Sequence, residues 1–182
     1  MKKVLRYLLM TVMALCFSLP CLSAEAASVA LLPLINNVQG NEGINQIYYK
    51  EAINTLKFQK GFVMVENDKL AAAIEAANVG NEVPGEAALL KIAKDGDVDI
   101  VFAIQLDKIE EETIYSSEEN KIKINLLGKA VSYNSLTGET LNRKINHEVL
   151  VPEVFSSRWN VSHEEWGKVV RQEIKKALKA KK

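Results

Sequence analysis

The sequence predicts an α/β (α+β) fold, a mixed sheet of about five strands with helices packed on it. Three observations carry this. The stretch Val98 to Tyr133 holds two strand-like runs around the polar turn SSEEN, the pattern of a long antiparallel hairpin. A third run, Glu139 to Val151, alternates apolar and polar residues as a half-covered antiparallel strand does. Ahead of these, short apolar runs alternate with segments of helical period, the pattern of a parallel crossover.

The chain starts with Lys2, Lys3 and Arg6, followed by Tyr7 to Leu19, thirteen residues without a charge. Pro20 breaks this run, and Ala24-Glu25-Ala26 presents small residues where a signal peptidase reads. Residues 1–26 thus read as a secretory signal peptide and residues 27–182 as a single α/β domain. As a helix the apolar run rises about 20 Å, short of a hydrocarbon core of about 30 Å. A lipid anchor on Cys21 is disfavoured, because Pro20 and Ser18 stand where a lipobox wants a small residue and a leucine.

Cys16 and Cys21 both lie in that leader, so the remainder has neither disulfides nor thiolate sites. Without residues 1–26, Lys and Arg fall from 23 to 20 and Asp and Glu from 23 to 22, for a net charge of −2. That balance argues against non-specific nucleic-acid binding, which needs a basic field.

In order, Ser28 to Leu34 reads as a buried strand closed by Pro33, which cannot donate to a ladder. The loop Ile35 to Gly43, INNVQGNEG, follows. Asn45 to Lys60 is helical, with Ile44, Tyr48, Ala52 and Leu56 on one stripe and Gly61 beyond its end. Phe62 to Val65 is the next strand. Asn67 or Asp68 caps a helix whose Leu70, Ile74 and Ala77 share a face. After the loop Val79 to Gly85, a helix over Glu86 to Lys94 carries Leu89, Leu90, Ile92 and Ala93, and Asp95-Gly96-Asp97 turns into the hairpin.

Val98 to Leu106 is nearly continuous in Val, Ile, Phe and Leu, as in a strand buried on both faces, and turns polar past Asp107. In the third strand of the meander, Leu141, Ile145, Val149 and Val151 share a face, interrupted by Arg143 and His147. Pro152 to Asn160 reads as a loop containing Phe155 and Trp159. Ser162 and Glu165 form a capping-box pattern before a helix carrying Trp166, Val169, Val170, Ile174, Ala177 and Leu178.

Four stretches resemble, in order, the curli-secretion-channel-like periplasmic domains; similar domains occur in the penicillin-binding-protein activator lipoprotein and at the amino terminus of the Tol–Pal translocation protein. VALLPLIN at Val29 to Asn36 is similar to their opening strand and KGFVMVE at Lys60 to Glu66 to their second. AKDGDVDIVFAIQL at Ala93 to Leu106 and AVSYNSLTGET at Ala130 to Thr140 resemble their central strand and Thr-Gly-Glu turn. The resemblance implies an anticodon-binding-domain-like fold serving as a binding or assembly module of the envelope, without tRNA binding or catalysis. It departs from the pattern in lacking a good lipobox and paired membrane-spanning hairpins. The single long hairpin carries Asp107, Lys108, Glu110, Glu111, Glu112, Glu118 and Glu119, costly on a lipid-facing wall.

The expected function is therefore an exported, non-enzymatic module that docks an envelope protein or itself, with no cofactor and no metal. Partner contacts are expected at Tyr49, Phe155 and Trp159, since aromatics dominate interface hot spots. The alternative is a hydrolase or small-ligand protein with a cleft at His147 and Arg143, which would bring those side chains together in a pocket. No Gly-x-Ser-x-Gly elbow accompanies them, and His147 reads as a structural residue. His163 reads as part of the solvated capping turn, and the glutamates of the hairpin as a guard against edge-to-edge pairing rather than a calcium site. A ligand site on the loop after the first strand is a further possibility, because ligands favour the carboxyl ends of parallel strands.

Overall fold

The computed structural model describes residues 26–38, 43–117, 119–153 and 158–179, with the side chains of 158–160 excluded. Six strands form one mixed sheet: β1 (Ala27–Leu31), β2 (Ile35–Asn36), β3 (Phe62–Met64), β4 (Ile100–Ile114), β5 (Lys121–Asn134) and β6 (Glu139–Pro152). The helices are α1 (Gly43–Lys57), α2 (Asp68–Ala76), α3 (Glu86–Gly96) and α4 (Arg158–Leu178). The spatial order is β3-β1-β4-β5-β6, with β2 also paired to β4. β1 pairs in parallel with β3 and β4, and β4, β5 and β6 form an antiparallel meander, as the sequence predicts.

The strand count departs from the expected five. Ile35 and Asn36, read as loop, pair in parallel with Gln105 and Leu106. Pro33 ends the first strand early, at Leu31, and the chain re-enters the sheet two residues past the proline, too short a run for periodicity to reveal.

One core lies between the sheet and α1 with α4. The predicted stripe Ile44, Tyr48, Ala52 and Leu56 is buried there, with Trp166, Val169, Val170 and Ile174 opposite. Tyr48 donates its buried hydroxyl to Leu32 O at 2.9 Å. The other face of β1, β4 and β5 packs on α2 and α3 through Ala30, Leu32, Val101, Ala103 and Val131. Leu89, Ile92 and Ala93 face this second core, but Leu90 does not and is exposed. The Asn67 side chain caps α2 by accepting from Leu70 N at 2.7 Å. Asn67→Ala should cost about 1 kcal/mol in urea-monitored unfolding; an unchanged midpoint would show the cap to be irrelevant.

Because α2 and α3 reach only part way along the sheet, β4 is buried from Ile100 to Leu106 and exposed on one face thereafter. A β-bulge sits at that border: Leu106 faces Gly128, Lys108 faces Leu127, and Asp107 is the extra residue. Strict alternation from Leu106 would turn Lys108 and Glu110 toward the helices. The bulge turns Ile109 to the core instead, and Glu111 to α4.

The last helix also departs from expectation. It begins at Arg158, so Trp159 is helical rather than in a loop, and Ser162 lies inside the helix, not at its cap. The buried Ser162 hydroxyl donates to Glu111 Oε1 on β4. A partner reached across the sequence overrode the local capping pattern. His163, likewise inside the helix, packs its ring over Gly43.

Candidate functional site

β6 is an edge strand whose odd-numbered residues face α4. Arg143 and His147 share that face and are met by two buried glutamates of the helix. His147 Nε2 lies 2.9 Å from Glu165 Oε2, and Arg143 Nε lies 3.4 Å from Glu173 Oε2. The spacing explains the match. Four residues of strand span about 13 Å and eight of helix about 12 Å, so an antiparallel helix places both acids opposite both cations.

Each acid also takes a cation from its own helix. Lys168 donates to Glu165 Oε1 and Lys176 to Glu173 Oε1, both at 2.5 Å. Burial by itself pushes the Glu165 carboxyl up. The hydrogen bonds from Lys168 and His147 outweigh it and hold the carboxyl below its ordinary range. The convergence at one cleft that a hydrolase reading requires is not what the structure presents: His147 and Arg143 serve separate carboxylates, and these pairs tie the helix to the edge strand. The shared cleft belongs to the alternative reading of the two residues; the structure gives each its own carboxylate.

The expected contact aromatics fall in different places. Tyr49 is 37% exposed, sits edge-on to Tyr48 with ring centroids 5.1 Å apart, and neighbours Glu66 past β3. Burial, then the Glu66 carboxylate, raises its hydroxyl pKa. Phe155 and the Trp159 side chain lie outside the described residues. Of the hairpin glutamates, Glu110 pairs with Lys108 at 2.5 Å and Glu111 accepts from Ser162; Glu118 lies outside the described residues. Among the described residues, no group of three or more His, Cys, Asp or Glu side chains is placed to hold a metal ion.

Beyond β6 there is no further strand among the described residues. Its outward-facing side chains, Asn142, Lys144, Asn146, Glu148 and Leu150, are exposed. Glu148 holds Lys123 of β5 at 3.0 Å.

At the opposite side, the described part of the loop after β1 forms one wall of a cavity of about 460 Å³. The end of α2 and the residues after it form the other. Side chains at the bulge tie down the first wall and the chain just past the second. Asn37 Nδ2 donates to Asp107 Oδ1 at 3.0 Å, Val83 N donates to Gln105 Oε1 at 2.9 Å, and Gln105 Nε2 donates to Asp107 Oδ1. The sequence singled out the loop but not its opposite wall, because no periodicity links α2 to it.

No protein-family model matches the chain. No curated protein matches it either. Among solved structures, the fold is similar to that of the hypothetical protein CT253 from Chlamydia trachomatis, with a TM-score of 0.55, 9% identity, and coverage of 84% of this chain and 98% of that one. Lipoprotein GNA1162 from Neisseria meningitidis follows at 14% identity and a TM-score of 0.42, with 85% and 99% covered. The LpoB C-terminal domain from Salmonella enterica follows at 12% identity and a TM-score of 0.36, with 69% and 83% covered. The likeness to CT253 is one of fold; the two lower-scoring structures are noted as neighbours only. These likenesses do not single out the curli-channel or Tol–Pal domains. Cys21 lies outside the described residues. No described helix is long and apolar enough to cross a membrane.

Proposed function

We propose that residues 1–26 direct export, and that residues 27–182 act as a single, non-enzymatic binding or assembly module of the cell envelope that pairs with a second copy of itself along β6. One observation carries this reading: β6 is a long edge strand whose outward charges are self-complementary. In an antiparallel pair about a twofold axis at Asn146, Lys144 of each copy stands opposite Glu148 of the other, and Asn142 opposite Leu150. Shifting the axis to Ile145 would set Arg143 against His147. Inward-pointing charges normally guard an edge against such pairing. Here Glu173 and Glu165 engage them from the helix, so they do not obstruct the ladder. Phe155 and Trp159, which follow β6 in the chain, would anchor the neighbouring copy, and Tyr49 is left for a contact at the β3 edge.

Sedimentation equilibrium tests the pairing. The protein should be dimeric at micromolar concentration, Lys144→Glu should weaken association at least about tenfold through two like-charge contacts, and Lys144→Glu with Glu148→Lys should recover most of it. A monomer at all concentrations, or a charge reversal without effect while the thermal melt is unchanged, would overturn the reading.

A further inference from the structure

We propose that the cavity between the loop after β1 and the end of α2 binds a neutral saccharide. The lining is rich in carboxamides and poor in charge. Among the described residues, Asn36, Asn37, Asn78 and Asn81 border it, Glu75 is the one charged side chain, and no Lys, Arg or His lines it. A lining without a cationic side chain offers no charge-assisted donor to a phosphate or carboxylate ligand. The Asn36 carboxamide is engaged by Val38 N and Asn45 Oδ1, whereas those of Asn78 and Asn81 present a donor and an acceptor side by side, the pattern that vicinal hydroxyls answer, and a carboxylate accepts from hydroxyls. Leu34, Ile74 and Val79 supply an apolar strip for the C–H face of a sugar ring. The volume, about 460 Å³, falls in the ordinary range for small-molecule sites.

The walls are fixed before any ligand arrives. β2 is hydrogen-bonded into the sheet beside Gln105 and Leu106, and the Asn36 side chain closes a turn by accepting from Val38 N at 3.0 Å. Asp107 holds Asn37 by its amide nitrogen, which leaves the Asn37 carbonyl oxygen as an acceptor. Across the cavity, Asn78 has a left-handed backbone with φ of 48°, and the side chains of Asn78 and Asn81 are exposed. Asparagine tolerates that backbone better than most residues, and it keeps a carboxamide where glycine would leave none. The cavity also lies past the carboxyl end of β1, where sheets of this kind receive ligands.

The test is NMR titration of the isotope-labelled protein with maltose, N,N′-diacetylchitobiose and chitohexaose, using inorganic phosphate as the anionic control. At concentrations on the order of 10 mM a site with a millimolar Kd is nearly saturated. At least one saccharide should shift the signals of Asn36, Asn37, Asn78 and Asn81 in a saturable manner, and phosphate should not. Asn78→Gly removes the carboxamide while suiting the left-handed backbone, and Asn81→Ala lies on the exposed loop, so both variants should fold. Together they should weaken binding at least tenfold. Tighter binding of the hexasaccharide than of the disaccharides would indicate a glycan polymer as the source, and the reverse a free sugar. No shift with any saccharide, shifts that survive the double substitution, or saturable phosphate binding at these residues would overturn the proposal.

Discussion

Gly128→Ala should lower stability by roughly 3 kcal/mol, a fall in Tm of about 6–12 °C, because no other described glycine has backbone so close to the added methyl. A Cβ at this position would lie 2.2 Å from Gln105 O, 3.3 Å from Gln105 C and 3.4 Å from Leu106 Cα. All three obstacles are backbone atoms of the neighbouring central strand, so no side chain can rotate to make room. The cause is close approach at the bulge, where β5 must pass the extra residue Asp107. Relief would require β4 and β5 to separate, which would disturb Gln105 and with it the contact to Val83. Removing Asp107 would restore a regular ladder, with Leu106 still opposite Gly128 and Lys108 opposite Leu127. The alanine should therefore cost less in a chain lacking Asp107 than in the intact one, a non-additivity that thermal melts of the two single variants and the double variant measure directly. A Gly128→Ala protein melting within a degree or two of the parent would show that the strands yield without cost.

Glu165→Gln should cost about 2 kcal/mol near neutral pH, the range for hydrogen bonds to a charged group, and the loss should vanish in acid. The side chain is 4% exposed and holds His147 and Lys168 at once. Lys168 is half exposed, so solvent screens its share and the tie to His147 on the edge strand weighs more. The carboxyl is held below its ordinary range in the folded protein. A depressed folded pKa contributes stability that is fully present above the unfolded value, about 4.3. It disappears as pH falls through the folded value. Urea unfolding of the two proteins from pH 7 to pH 3 should show curves that stay apart above about pH 5 and converge below about pH 4. Parallel curves over that window would mean that the Glu165 charge does not contribute. The amide should also loosen the start of α4 from β6, seen as faster hydrogen exchange in that part of the helix.

Much of the fold is legible in the order of the residues. The stripe of α1, the apolar positions of α4 and the alternation of β6 follow from periods that each element carries by itself, and they face the core as expected. The full burial of β4 as far as Leu106 is visible as an apolar run broken only by Gln105, and its polar continuation marks where helical cover ends. Aromatics read as core, Tyr48 and Trp166, are core. The readings that failed were local patterns whose polar atoms found better partners far along the chain. Ser162 and Glu165 have the spacing of a capping box, yet one reaches β4 and the other β6. Ile35 and Asn36 look like loop, yet a neighbouring strand offered them a ladder.

The candidate sites divide along the same line. His147 and Arg143 stood out in the sequence because they interrupt an apolar face, but the acids that explain them lie 18 and 30 residues further along the chain, on a helix. The cavity joins residues near Asn36 to residues near Asn78, and Asp107 holds the first wall from a third strand. Sequence alone determined which face of each element is apolar, because that is a property of spacing within one segment. Which polar group meets which across the sheet, where a bulge reverses the facing of β4, and which two loops enclose a cavity were decided only by tertiary structure. Those contacts join residues tens of positions apart, and no local period encodes them.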